Sequence, residues 1–174
     1  MPPFTPSSRA ARMDLLVRQN RCQTEYRGYV GQLADMLGGP IPSKDRLDLS
    51  ATDHLFASFK AAVKATPIMK RSWPYVPDPA WADCCKRIAE SLSGERAVLF
   101  VGPFQYCGAV RVDLSRALTT AEALLTFDGD TVSLQSEESD AGLYLDRFEE
   151  GEQWRVEVAA WGRWVIAFRN AASI

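Results

Sequence analysis

The sequence predicts an α+β domain in which helices come first and an antiparallel sheet follows. Three observations carry this. Apolar residues recur at helical spacing through the first half of the chain. From Arg96 onward the apolar period changes to two. The connections between the later apolar runs are short, which makes strands adjacent in sequence adjacent in space. At 174 residues, 47% hydrophobic and 24% charged, the chain has the balance of a folded domain with one sizeable core. The expected architecture has two layers, with three N-terminal helices on one face of a roughly six-stranded meander. Residues 1–7 form an extended, proline-rich tail and residues 8–174 a single domain, helical over 8–93 and sheet over 94–174.

Ser7 or Ser8 caps a first helix running to about Leu37, with Leu15, Cys22, Tyr29 and Met36 repeating along one stripe. Gly28 and Gly31 weaken its continuity, and Gly38-Gly39-Pro40 ends it. A second helix spans about 52–65, burying Leu55, Phe56, Phe59 and Val63. Residues 66–79 carry four prolines and are expected to be irregular. Asp78 with Pro79 starts a third helix over 79–92, with Trp81, Cys84, Cys85, Ile88 and Leu92 facing inward.

In the second half, Ala97–Val101 is continuously apolar, as in a strand covered on both faces. Strands follow at Tyr106–Leu114, Leu124–Phe127, Thr131–Ser136, Gly142–Phe148, Gln153–Trp161 and Arg163–Asn170, with residues 115–122 ambiguous between helix and loop. Asp128-Gly129 reads as a hairpin turn. Alternation puts Trp154, Val156 and Val158 on one face and Trp164, Ile166 and Phe168 together. Leu99, Trp154, Val156, Trp164 and Ile166 are therefore expected in the core, whereas Trp161, opposite Trp154 and beside Gly162, is expected at the surface.

The chemistry-bearing patterns are mostly absent. The sequence contains no phosphate loop, dinucleotide-binding glycine turn, GxSxG elbow, HExxH or EF-hand pattern. The four cysteines, Cys22, Cys84, Cys85 and Cys107, include no CxxC, and His54 is the only histidine. Zinc spacing is thus missing, no metal or cofactor is expected, and the cysteines are expected to be free thiols in a reducing compartment. Cys107 with His54 is the one conceivable nucleophile pair, but it joins a strand to a helix start. The carboxylate pairs Asp128/Asp130 and Glu149/Glu150 fall in turns, where wet surroundings give no raised pKa for acid–base work. No run approaches a membrane span, and the N-terminal stretch lacks a secretory h-region, so a cytoplasmic protein is expected.

Charge is the informative feature. The net charge is −2, with a pI of about 5.5, which argues against general nucleic-acid binding. Residues 1–93 carry +4 and residues 94–174 carry −6, while the segment from Asp128 to Glu157 alone carries −8. A field of that sign attracts a basic protein partner and speeds its association. Strand counting places Asp128, Asp130, Glu149, Glu150 and Glu152 at one end of the sheet and the 137–141 turn at the other. With Trp161, those five carboxylates form the expected protein-binding surface. The loop Lys70–Tyr75 mixes cations with aromatics, a combination that binds peptides or single-stranded nucleic acid or simply pins a loop to the core. The function expected is a non-catalytic binding module, most concretely an immunity-type inhibitor presenting acidic surface to a basic toxin or nuclease. A small hydrolase with an unrecognised site and an adaptor or secretion chaperone are the alternatives.

Overall fold

The computed structural model describes residues 8–76, 80–127 and 129–173. The expected tail 1–7, the Asp78-Pro79 helix start and the site residue Asp128 lie outside them. The elements in chain order are α1 (Arg9–Glu25), α2 (Tyr29–Met36), α3 (Leu49–Ala65), β1 (Met69–Pro74), α4 (Ala80–Ser91), β2 (Arg96–Phe100), α5 (Phe104–Cys107), β3 (Val110–Asp113), α6 (Leu114–Thr119), α7 (Ala121–Phe127), β4 (Thr131–Ser136), β5 (Ala141–Glu150), β6 (Gln153–Gly162) and α8 (Val165–Ala172). The fold is α+β, and all pairings in its six-stranded sheet are antiparallel.

Local chemistry explains the element boundaries. The Ser8 hydroxyl accepts from the Ala11 amide at 3.1 Å and caps α1. Gly28, at φ +93°, takes the left-handed turn that splits the long expected helix into α1 and α2. The Asp48 carboxylate accepts from the Ala51 amide at 2.7 Å, so α3 begins three residues earlier than its apolar stripe suggests. Asp113 caps α6 in the same way.

The strand order is β1-β6-β5-β4-β2-β3. β4, β5 and β6 form the expected meander and β2 pairs with β3, but two features depart from a simple meander. β4 pairs with β2 rather than β3, so β3 and β4 run in the same direction on either side of β2 and are joined across it by α6 and α7. The segment Leu124–Phe127, expected as a strand, is thus helical, so the first strand of the expected hairpin is absent. The second departure is β1, which forms within the proline-rich stretch expected to be irregular and pairs with β6 along its whole length. Prolines are compatible with this edge: the Tyr75 amide donates inward to Trp154 O, so Pro74 one residue earlier points its missing N–H outward.

Helices cover both faces of the sheet, which corrects the expected single covered face. One face carries Leu99, Leu134, Leu143, Leu145, Val156 and Val158 against α2, α4, α6, α7 and α8. The other carries Val98, Phe100 and Trp161 against Phe56 and Phe59 of α3 and Phe104 of α5. The last segment is helix α8 rather than a strand: Trp164, Ala167, Phe168 and Ala171 are buried and Ile166 is exposed.

Two further corrections concern side chains. Cys22 and Cys107 form a disulfide across 85 residues, so only Cys84 and Cys85 are free, and both are buried. Cys107 ends the short helix α5 instead of lying on a strand. With one disulfide and two free thiols in place of the four expected, the cysteines no longer point to a reducing compartment. Among the described residues no helix is long and apolar enough to cross a membrane.

Candidate protein-interaction surface

The hairpin of β5 and β6 is longer than its neighbours. The β4 pairing runs to Thr131↔Asp146 and the β1 pairing to Pro74↔Arg155, each followed by one further backbone bond (Arg147 N–H to Asp130 O, Tyr75 N–H to Trp154 O), while β5 and β6 continue pairing to Glu150↔Gln153. Its tip therefore stands clear of the sheet. Gly151, at φ +66°, permits the reversal. The base of the projection is fixed by Asp130, whose carbonyl accepts from the Arg147 amide at 2.8 Å. Asp130 and the tip consequently occupy one end of the sheet, and the 137–140 turn the opposite end.

The tip carboxylates differ in their surroundings. Asp130 is held by the Arg147 guanidinium, with Nε 2.6 Å from Oδ1. Glu150 lies 3.2 Å from Arg155, which also donates to the Ser72 hydroxyl at 2.9 Å. Glu149 and Glu152 are exposed and make no ion pair among the described residues. Two of the predicted acidic residues are thus partly neutralised, and the outward field comes mainly from Glu149 and Glu152.

Sequence reasoning missed the aromatic component. Trp154 pairs across the hairpin with Glu149 and is 46% exposed, whereas the other four tryptophans are buried. Its indole lies 5.5 Å from Arg147, which also stacks on Tyr75 at 5.0 Å, and Tyr75 stacks on the buried Trp81 at 5.9 Å. Burial works against the Arg147 charge, but Asp130 and Tyr75 more than offset it and raise its pKa above the ordinary arginine value. This ladder from core to surface presents Trp154 in a held orientation. Trp161, the aromatic expected here, is 1% exposed and packs edge-on against Phe59 on the other face. Trp154 could have been recognised from its position three residues after the Gly151 turn, where a strand outruns its neighbours.

The opposite end is chemically different. Glu95, Glu138 and Asp140 converge on Arg163, and Glu137 lies between Arg96 and Arg111. All of these but Arg111 line an open depression of about 550 Å³. The Ser136 hydroxyl, 2.7 Å from Asp140, and then Arg163 hold the Asp140 carboxyl below its usual pKa. This end is an ion-pair network in which each of the carboxylates Glu95, Glu137, Glu138 and Asp140 has an arginine partner, unlike Glu149 and Glu152 at the hairpin end.

The expected catalytic candidates are not assembled. Cys107 is bonded to Cys22 and offers no thiolate, and His54 is exposed on α3. Among the described residues, no group of three or more His, Cys, Asp or Glu side chains is placed to hold a metal ion. Lys70–Pro74 belongs to β1, with Trp73 buried and Lys70 paired to Glu157 at 3.1 Å. On the same face the Tyr144 hydroxyl donates to Glu157 at 2.9 Å, and burial followed by that carboxylate pushes the Tyr144 pKa up to about 12. A phenol so protonated is a structural donor at neutral pH.

The chain matches no protein-family model, and no curated protein or solved structure is significantly similar to it.

Proposed function

We propose that this chain is a non-catalytic protein-binding module that docks a basic partner on the β5–β6 hairpin end, in the manner of an immunity-type inhibitor occluding a phosphate-binding surface. The observation that carries the reading is the juxtaposition of exposed Glu149 and Glu152 with half-exposed Trp154 on a hairpin that projects past both neighbouring strands. An aromatic anchor inside a charged rim is the usual energetic layout of a protein interface. The carboxylates would govern encounter and the indole would govern residence.

The partner to try is the product of the gene beside this one, purified and measured by stopped-flow association. Replacing Glu149, Glu150 and Glu152 together with Gln leaves Asp130 to hold Arg147. The variant should bind about tenfold more slowly at low salt, with the gap closing as salt is raised. Trp154→Ala should instead speed dissociation. If a basic neighbouring product binds both variants with unchanged rates, the hairpin is not the interface. If that product is basic and does not bind the wild-type chain, the inhibitor reading loses its support.

A further inference from the structure

The attachment of α1 to the rest of the molecule is unusual. None of its residues is buried. It is held by surface contacts to α5 and to the start of α3. Arg18 makes two hydrogen bonds to the Asp53 carboxylate, at 2.7 and 2.8 Å, and a third to the Gln105 carbonyl at 2.6 Å. Arg21 donates to the Tyr106 hydroxyl at 2.7 Å and lies over its ring, and Tyr26 stacks on the same ring at 5.6 Å. Arg18 keeps only 16% of its side chain exposed and grips Asp53 through two nitrogens, whereas the Arg21 contacts lie in the open, where such pairs contribute little individually. The one covalent link is the Cys22–Cys107 disulfide. At its C-terminal end α1 meets the fold at Gly28, a left-handed residue with open space around it. Both bonded cysteines are only partly buried, and a shallow cleft of about 490 Å³, lined by Cys22, Tyr26, Arg27, Gly28 and Tyr29, opens beside the bond.

We propose that Cys22–Cys107 is a redox-reversible latch that fastens α1 against α5 when oxidised and lets it swing away about Gly28 when reduced by a dithiol. The cleft admits the reductant to the sulfur of Cys22. A thiolate of the dithiol attacks one sulfur, the Cys22–Cys107 bond breaks, and the displaced sulfur leaves as a thiolate that takes a proton. The second thiol of the reductant, as its thiolate, then displaces the remaining protein sulfur, which is protonated in turn. Two electrons pass from the dithiol to the protein disulfide, leaving two protein thiols and one oxidised, disulfide-bonded reductant. Cys84 and Cys85 take no part. Both are fully buried, and burial raises their pKa, that of Cys84 to about 11, so they remain unreactive thiols. Once the covalent link is gone, undocking is opposed chiefly by the Arg18 and Arg21 bonds and the Tyr26–Tyr106 stack, and the opened form becomes populated. None of these residues belongs to the acidic hairpin, so the latch stands whether or not that surface binds a partner.

The test treats the folded, oxidised protein with millimolar dithiothreitol in the absence of denaturant, alkylates it with iodoacetamide, and digests it briefly with trypsin. Mass spectrometry should find two alkylated cysteines, Cys22 and Cys107. Cleavage after Arg12, Arg18 or Arg21 should be at least about tenfold faster than in the oxidised protein, because proteolysis follows the population of the open form, while the body from residue 29 onward resists. The variant Cys22→Ser, checked for a native-like circular dichroism spectrum, should show the fast pattern without reductant. The latch is overturned if native-state alkylation labels neither cysteine, since the bond is then inaccessible. It is equally overturned if both are labelled and the cleavage rates of reduced and oxidised protein agree, since α1 then stays docked without the bond.

Discussion

Trp161 fills the space between the sheet and α3. Its ring lies over Gly142, where an added Cβ would fall 1.8 Å from Cζ2, and it meets Phe59 at 4.8 Å. Trp161→Ala should cost about 3–5 kcal/mol, as for other large buried aromatics. Trp154→Ala, at a ring nearly half exposed, should cost less than half of that. Denaturant melts of the two variants decide it, and equal losses would mean the hairpin ring contributes to the core. Alternation along β6 correctly separated these two tryptophans onto opposite faces. It was silent about depth, because period two reports which face a side chain takes and not what lies above that face. Tyr144 gives a second test. Its pKa is raised to about 12 by burial and by Glu157, against about 10 in an unfolded chain. A raised pKa means that the folded state holds the proton more tightly. The associated stability is therefore complete below pH 10 and is lost as pH rises from about 10 to about 12. Thermal melts across that window should fall more steeply for the wild type than for Tyr144→Phe. Parallel slopes would show that the phenol titrates alike in both states.

Elements were legible where one period was unopposed. α3, α4, β2, β5 and β6 lie close to their expected positions because capping residues and long periodic runs agree there. The failures share a cause: short apolar runs fit two periods at once. In α8, Trp164, Ile166 and Phe168 satisfy the strand period, but Trp164, Ala167, Phe168 and Ala171 satisfy the helical one. The helix with its N-cap Trp164 buries those four side chains and Ala172, and of its apolar side chains only Ile166 is left exposed. In α7, Ala121, Leu124 and Leu125 settle the same contest. β1 was hidden differently. Its prolines argue against a central strand and say nothing against an edge, and the edge exists only because β6 provides an open partner far along the chain. The candidate surface was partly legible for the same reasons. Strand counting placed Asp130 and Glu149–Glu152 at one end, yet Arg147 and Arg155, which neutralise two of them, are selected by register.

At the scale of the whole molecule, packing crosses between the two halves of the sequence. The sheet part, 94–174, borrows β1 from the helical part to cover the edge of β6. α4 inserts Trp81, Cys84, Cys85 and Ile88 into the larger core, α2 adds Leu33, and Phe59 of α3 covers Trp161. Burying each large apolar side chain is worth about 1.5–3 kcal/mol, whereas a whole domain is stable by only about 5–15 kcal/mol. Removing Trp81, Ile88, Leu33 and Phe59 together therefore takes away as much as a domain of this size holds in reserve. It also leaves β6 as an exposed apolar edge, prone to pairing with other chains. A fragment comprising residues 94–174 should show no cooperative thermal transition and poor amide dispersion by NMR, and should aggregate at concentrations where the full chain stays soluble. The full chain should unfold in one transition, because β2 contributes Leu99 to one core and Phe100 to the other and so couples the two faces. A well-dispersed, cooperatively melting fragment would instead make the sheet part autonomous, with the helical part an addition to it.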